Sequence, residues 1–311
     1  MAIVDATEAI FLALLGIIAN VFAGLIAGLL LVKEIVYKVL GFNKPVPHPR
    51  SILITGASSG IGAELAVQYA KPRTRLVLVA RNVTRLEKVK KECEEKGATV
   101  EIASLDMSDS AAVKSYMEKV DKQVNIDLVI ANAGISMTPP KEGELFSDAA
   151  QRLFDVNVFG VFHTIAPIME GMRHRGRGQV AIMSSLSGIF SHPNLSYYGA
   201  SKSALVAFSR HFRPVAAEQG IRLTCICPGF VETPLVQEMR NAGGKLPGFA
   251  VMDVKAAAKV ITKGLERDRP VIIFPAIQYW PVHMTSVMPP FIQAFWNYMA
   301  LKYPLAGSRQ S

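Results

Sequence analysis

Seven short, largely apolar runs separated by stretches of helical periodicity limit what this chain can fold into. They are "SILIT" (51–55), "RLVLVA" (75–80), "TVEIASLD" (99–106), "IDLVIANAG" (126–134), "GQVAIMSS" (178–185), "IRLTCICPG" (221–229) and "PVIIFP" (270–275). Most are continuous rather than alternating, the mark of strands covered on both faces. Between them the pattern predicts helices over 61–70, over 84–97 with Gly97 closing it, up to Val120, over 147–172, from about 196, and over 254–266. Such alternation gives a parallel sheet with right-handed crossovers, an α/β doubly wound fold of the Rossmann type. With 311 residues, half of them apolar, one large core suffices.

Ahead of this pattern, residues 9–32 carry no charge and a single amide, Asn20. As a helix the stretch would be about 36 Å long, enough for a hydrocarbon core of about 30 Å. A secretory signal has a shorter apolar stretch after a positive charge. Here Asp5 and Glu8 precede it, and Lys33, Lys38, Lys44 and Arg50 follow. The positive-inside rule leaves the N-terminus outside and the main body in the cytosol. The expectation is a single-pass anchor (1–42) in the endoplasmic reticulum membrane with the main domain facing the cytosol; a monotopic hairpin turning near Gly16 or Asn20 is the alternative. Gly24 and Gly28 make a GxxxG pair that could bring two helices together, which leaves a homodimer open. The alternating prolines of "NKPVPHPR" (43–50) read as a stiff linker to a domain of 51–275, followed by an apolar extension over 276–311.

A formal charge of +9 favours anionic partners such as phosphates or lipid headgroups. The basic residues are dispersed, and their densest cluster, "RHRGRG" (173–178), reads as a solvated turn, so no nucleic-acid surface is expected. Cys93, Cys225 and Cys227 are too few for a disulfide framework and no Cys/His set has zinc spacing; the cysteines read as small core residues in a reducing compartment, and no metal is expected. His163 and His192 have no metal partner in the sequence.

"ITGASSGIG" (54–62) sets Gly56, Gly60 and Gly62 between the first strand and the first helix, where backbone N–H groups and the helix dipole attract a pyrophosphate. Its spacing, GxxxGxG, departs from the generic dinucleotide fingerprint. The same letters fit the GxSxG elbow of α/β-hydrolases, but such an elbow needs strands and an oxyanion loop upstream, and here only the anchor and linker precede it. The second strand ends in Arg81, 19 positions after Gly62. A free ribose 2′-hydroxyl is met there by an acidic residue and a 2′-phosphate by arginine, so Arg81, with Ser58 adding a hydrogen bond, favours NADP over NAD.

"SYYGASK" (196–202) holds the chemistry. In a helix Tyr198 and Lys202 lie one turn apart on one face, while Tyr197 points about 100° away as packing or pocket wall. An adjacent ammonium would lower the phenol pKa toward neutrality, letting Tyr198 give a proton to a carbonyl oxygen or take one from an alcohol. Ser185, thirteen residues upstream, could hold the same oxygen.

Taken together, "TGASSGIG", "NAG" (132–134), Asn157 in "FDVNVFG", Ser185, "YGASK" and "PGFVET" (228–233) resemble the short-chain dehydrogenase/reductase family in its compact single-domain form, over about residues 50–270. The resemblance implies that Tyr198 is the acid/base, that Lys202 lowers its pKa and binds the nicotinamide ribose, that Ser185 orients the substrate carbonyl and that Asn157 supports a proton-relay water. It further implies that Gly56, Ser58, Ser59, Gly60, Ile61 and Gly62 cradle the cofactor, Asp106 meets the adenine, Asn132 lines the cleft, and Pro228, Gly229 and Thr233 bind the cofactor, with Thr233 on the carboxamide. Members selective for NADP often carry a basic residue where this chain has Ser59, so the NADP(H) expectation rests chiefly on Arg81.

Two segments bear on substrate. Residues 234–252 mix glycines with apolar side chains as a lid would. The proline-broken stretch 276–305 is rich in aromatics and methionine, with Phe291, Ile292, Phe295, Trp296 and Met299 on one helical stripe that could meet the core, a second subunit or a membrane interface. An anchored reductase with such an extension is expected to act on a hydrophobic ketone or secondary alcohol, of lipid, sphingoid or steroid type. The competing class is a catalytically silent, membrane-tethered NADP(H)-binding scaffold, which the complete Asn157, Ser185, Tyr198, Lys202 set disfavours.

Overall fold

The computed structural model describes residues 28, 32, 36, 46–136, 145–190, 193–241, 251–276, 278, 279, 291, 293, 294, 297 and 298. The chain divides into two units, Met1–Pro45 and Val46–Ser311. Apart from Gly28, Val32 and Val36, the expected anchor lies outside the described residues, as do His192, residues 242–250 of the expected lid, and Ile292, Phe295, Trp296 and Met299. Among the described residues no helix is long and apolar enough to cross a membrane.

The second unit is a seven-stranded parallel sheet. Its elements run β1 (Ser51–Thr55), α1 (Gly60–Tyr69), β2 (Arg75–Ala80), α2 (Val83–Glu95), β3 (Thr99–Ser104), α3 (Ser110–Val124), β4 (Leu128–Ala131), α4 (Phe146–Phe154), α5 (Gly160–Arg175), β5 (Gly178–Met183), α6 (Ser196–Glu218), β6 (Ile221–Pro228), α7 (Pro234–Asn241), α8 (Val254–Glu266) and β7 (Val271–Phe274). The strands lie in the order β3-β2-β1-β4-β5-β6-β7, the doubly wound arrangement that the apolar runs predict.

Both faces of the sheet are buried, which is why its strands read as unbroken apolar runs. Ile52, Ile54, Leu76, Leu78 and Ile130 face one layer with Leu65 and Ile261 from α1 and α8. Leu53, Val77, Val79 and Val129 face the other with Met117, Ile165 and Leu205 from α3, α5 and α6. Each such side chain contributes about 1.5–3 kcal/mol on burial.

Three local expectations are revised. The helix predicted over 147–172 is interrupted by one wider, π-type turn at Asp155–Phe159, and that turn carries Asn157. In the cluster read as a solvated turn, Arg175 forms a bidentate pair with the buried Asp121, at 2.8 and 2.9 Å; a carboxylate taken out of water requires such a partner. In the proline-rich linker, Val46 donates to the Glu266 carbonyl at 2.8 Å and Arg50 to the Asp127 carboxylate at 3.0 Å, so 46–50 belong to the domain.

Candidate active site

The winding direction reverses between β1 and β4, where doubly wound sheets open a crevice at the carboxyl ends of their strands. Thr55 ends β1 and ties the two strands together: its hydroxyl oxygen accepts from the Asn132 and Ala133 amides, each at 3.1 Å. The Asn132 side chain donates to the carbonyls of Thr55 at 2.9 Å and Gly56 at 3.3 Å. Asn132 thus acts as a clasp under the glycine turn as well as sitting at the crevice.

The turn itself needs its glycines. Gly56 and Gly60 have φ of 66° and 57°, a left-handed region that side chains disfavour, and a Cβ on Gly62 would overlap the Gly56 carbonyl oxygen. Ser59 precedes α1 without capping it by its side chain, so the first amides of the helix keep their hydrogen-bonding capacity, and with the helix dipole they suit an anionic group. Across the turn stands Thr233, whose methyl lies 3.1 Å from where a Gly60 Cβ would be. The glycine turn and the segment after β6 therefore face each other, as the two walls of a dinucleotide cleft must. Arg81, just after β2, is largely exposed, with its guanidinium 3.8 Å from the Asp106 carboxylate. Hydrogen bonds from the Ser108 amide and hydroxyl, together with Arg81, hold Asp106 below the usual carboxylate range. The residues present fit a nicotinamide dinucleotide: a glycine cradle at a helix N-terminus, and a cation and a carboxylate at the ends of neighbouring strands.

The four expected catalytic side chains converge beyond β4, β5 and the start of α6. Asn157 is fully buried; its amide oxygen accepts from the Ile135 amide at 2.8 Å, and its nitrogen donates to the Ile135 carbonyl at 3.0 Å and the Ser201 hydroxyl at 3.3 Å. Ser201 in turn donates to the Tyr198 carbonyl at 2.7 Å. Ser185 hydrogen-bonds the Tyr198 phenol and its hydroxyl lies 3.4 Å from the Pro228 carbonyl. Lys202, on the same face of α6 as Tyr198, places its ammonium 5.9 Å from the Tyr198 ring centroid and donates to the Met183 carbonyl at 3.0 Å. A Cβ on Gly134 would lie 3.1 Å from the Asn157 amide oxygen and 3.3 Å from the Lys202 nitrogen, which locates both groups at one spot.

The electrostatics correct one expectation. Burial raises the Tyr198 phenol above its ordinary pKa, and the hydrogen bond with Ser185 pulls only partly the other way. Burial also brings the Lys202 ammonium down to about 8, against a smaller opposing pull from Cys225 and Cys227. The lowering of the phenol expected from the lysine gives way to a rise set by loss of water, and the partial opposing pull comes from Ser185. Cys225 and Cys227 are buried core thiols, as read, but with sulfurs 3.7 Å apart and close enough to act on Lys202.

Sequence reasoning missed Ser201, Ile135 and Gln278. The Ser201 hydroxyl links Asn157 to the backbone of α6, a role its place between Tyr198 and Lys202 could have suggested. Ile135 acts through its backbone, and the Gln278 side-chain oxygen accepts from the Phe230 amide at 3.0 Å; neither leaves a signature in residue type. His163 is half-buried and stacks on Phe159, and among the described residues no group of His, Cys, Asp or Glu is placed to hold a metal.

Comparison with known proteins agrees with this geometry. Residues 50–243 match the profile of the short chain dehydrogenase family. An uncharacterized oxidoreductase of Myxococcus xanthus is 32% identical over 241 residues, 77% of this chain and 93% of the relative. The mouse 17-beta-hydroxysteroid dehydrogenase 13 is 29% identical over 260 residues, 80% of this chain and 84% of that protein. Among solved structures, a short-chain dehydrogenase from Sphingobium yanoikuyae in complex with NADPH superimposes with a TM-score of 0.65 at 25% identity, covering 84% of this chain and 99% of the other. A parallel sheet reversing at a glycine turn, a buried Asn–Ser–Tyr–Lys cluster beside it and a profile spanning most of the domain make this chain a member of the short-chain dehydrogenase/reductase family, an oxidoreductase of alcohol and carbonyl groups.

Proposed function

We propose that this protein is an NADP(H)-dependent reductase, anchored in the endoplasmic reticulum membrane with its domain facing the cytosol, that interconverts a ketone and a secondary alcohol on a hydrophobic substrate. The observation that carries the reading is the convergence of Asn157, Ser185, Tyr198 and Lys202 beside the glycine turn. Residues Gly56–Gly62 and Thr233 would hold the cofactor, which would supply or accept the hydride. Everything else falls to the chain. Ser185 and Tyr198, already hydrogen-bonded to each other, present two hydroxyls to one carbonyl oxygen. The raised phenol pKa keeps Tyr198 protonated at neutral pH, the form that donates to that oxygen as it gains charge. Lys202 orients the cofactor ribose, and Asn157 holds the Ile135 backbone and, through Ser201, the first turn of α6.

The NADPH in the Sphingobium complex speaks for the class of cofactor, while the choice of the 2′-phosphorylated form rests on Arg81 at the end of β2. Its side chain is 70% exposed and only loosely paired with Asp106, so it can turn to a phosphate without breaking a buried contact. A hydrophobic substrate is supported by the uncharged stretch 9–32, by the apolar C-terminal extension and by the hydroxysteroid named for the mouse relative. The test is NADPH oxidation by the full chain in detergent micelles. Steroid, long-chain keto and sphingoid-type carbonyls should turn over with kcat/KM about tenfold or more above small water-soluble ketones. Turnover confined to small ketones would sink the substrate assignment, and a tenfold preference for NADH would sink the cofactor assignment.

A further inference from the structure

The segment after β6, proposed above as one wall of the cofactor cleft, is pinned from three sides. Gly229 donates to the Phe274 carbonyl at 2.7 Å, the Phe230 carbonyl accepts from Met252 at 2.9 Å, and Glu232 donates to the Met252 carbonyl at 2.9 Å. The Phe230 amide pairs with a side chain instead. It donates to the side-chain oxygen of Gln278 at 3.0 Å, a residue four positions beyond β7 in the C-terminal extension.

The fit around that bond is close. A Cβ on Gly229 would overlap the Gln278 side-chain oxygen and lie 2.8 Å from its amide carbon on one side and 3.0 Å from a Leu186 methyl on the other. The missing side chain at 229 is what admits the Gln278 amide. Leu186 directly follows Ser185, whose hydroxyl reaches the Pro228 carbonyl at 3.4 Å. At the far end of the same segment Thr233 stands against Gly60. Gln278 is itself fixed, its amide donating to the Pro275 carbonyl at 3.1 Å. One side chain from the extension therefore holds the middle of a six-residue stretch whose two ends touch the catalytic serine and the glycine turn.

We propose that Gln278 is a positioning residue for the cofactor wall: by accepting from the Phe230 amide it sets the path of residues 228–233, and so the placement of Thr233 on the cofactor. The inference rests on the functional reading above. Its physical basis is preorganisation. A segment ordered before the ligand arrives loses less freedom on binding, and an N–H left without its acceptor favours other conformations.

The experiment compares wild type with Gln278→Ala, Gln278→Leu and Gln278→Glu in the full chain. In the cofactor-free protein, hydrogen exchange at the Phe230 amide should quicken in the Ala and Leu variants and return toward wild type in the Glu variant, which keeps an oxygen acceptor. The Kd for NADPH, read by protein fluorescence without any ketone, should rise about three- to tenfold in the Ala and Leu variants, the worth of one net hydrogen bond, and KM for NADPH should follow. The kcat should stay within about twofold, since the chemistry is untouched once the cofactor is seated. Gly229→Ala expels the amide by itself, so adding Gln278→Ala to it should cost nothing more. Unchanged Kd and KM in both variants, or a lower Tm with unchanged Kd, overturns the proposal, because Gln278 is then only a structural contact. A wild type that binds no NADPH overturns the functional reading and this inference together; a wild type that binds it while the variants match it overturns the inference alone.

Discussion

Lys202 carries its ammonium 5.9 Å from the centroid of the Tyr198 ring while donating to the Met183 carbonyl at 3.0 Å. The two side chains share one face of α6, and Lys202 is tethered to the last residue of β5. Loss of water acts on them in opposite senses, raising the phenol and bringing the ammonium down to about 8. Both are pushed toward their uncharged forms, so the pair is a neutral acid beside a weakly held cation rather than a phenolate beside an ammonium.

A pH profile should register that cation. Below about pH 8 Lys202 is protonated, and above it the charge is lost. Since kcat/KM reports groups of the free enzyme, kcat/KM for NADPH in the reductive direction should fall on the alkaline side with an apparent pKa near 8. Lys202→Arg keeps its charge at high pH and should move that limb upward in whatever activity remains. A limb that stays near 8 in the arginine variant would assign it to another group.

The same burial has a thermodynamic consequence. Lys202 has a pKa of about 8 in the folded chain against an ordinary value of 10.5, so between these values the unfolded chain binds more protons and stability rises with pH. The penalty, about 3 kcal/mol, is carried in full below pH 8 and relieved toward pH 10.5. Lys202→Met, of similar length and without charge, should therefore raise Tm near neutral pH by about 2–6 °C, even after loss of the bond to Met183, while abolishing turnover. Thermal unfolding across pH 6–10 checks both the sign and the window; a destabilised Lys202→Met protein would mean that the ammonium is better compensated than its surroundings indicate.

Tyr198→Phe separates chemistry from binding. The substitution removes one hydroxyl and leaves the ring under the Lys202 ammonium, so the Kd for NADPH should change by less than about threefold while kcat falls by at least 10²–10⁴, the range for loss of a positioned acid. Stopped-flow reduction together with cofactor titration distinguishes the outcomes. Retained turnover would transfer the acid role to Ser185 or to solvent.

How much of this was legible in the sequence depends on whether the side chain or the backbone carries the information. The strands could be read because a parallel sheet buries both faces, and the spacing of Tyr198 and Lys202 could be read because a helix turns every 3.6 residues. The π-type turn at 155–159 could not: it keeps the apolar periodicity of the surrounding helices while rotating Asn157 into the interior, and no residue type marks it. Residues that act through their backbone, such as Ile135 and Met183, are invisible for the same reason. The phenol's pKa was misjudged because spacing gives the direction of the ammonium but not the depth of burial, and depth decided the sign. Gln278 lies in the extension whose apolar stripe suits the core, a second subunit or a membrane interface, and only the fold brings it to Phe230.

Arg81→Asp should reverse the cofactor preference. The substitution removes the cation available to a 2′-phosphate and leaves a carboxylate beside Asp106, which repels a phosphate and can accept from a free ribose hydroxyl. The ratio of kcat/KM for NADPH over NADH should fall by about 10²-fold or more, most of it through KM for NADPH. Because Arg81 is largely exposed, Tm should move by less than about 2 °C. Equal loss with both cofactors would show that Arg81 shapes the cleft without reading the phosphate.

Asn157 offers the sharpest test of whether the buried network is catalytic scaffolding or ordinary core. It is fully buried in the π-type turn, exchanges two hydrogen bonds with the Ile135 backbone and reaches Tyr198 through Ser201. Asn157→Ala leaves the Ile135 amide and carbonyl without partners, at a cost of about 1–3 kcal/mol each way the network fails to rearrange, or a Tm fall of about 4–8 °C. Ser201→Ala removes only the link to α6 and should cost about 1 kcal/mol. If the network positions the phenol, both variants should lower kcat while leaving the Kd for NADPH within about threefold, and Ser201→Ala should do so despite its near-native stability. A Ser201→Ala enzyme with unaltered kcat would confine the network to folding, and the geometry of Tyr198 would then depend on Ser185 and Lys202 alone.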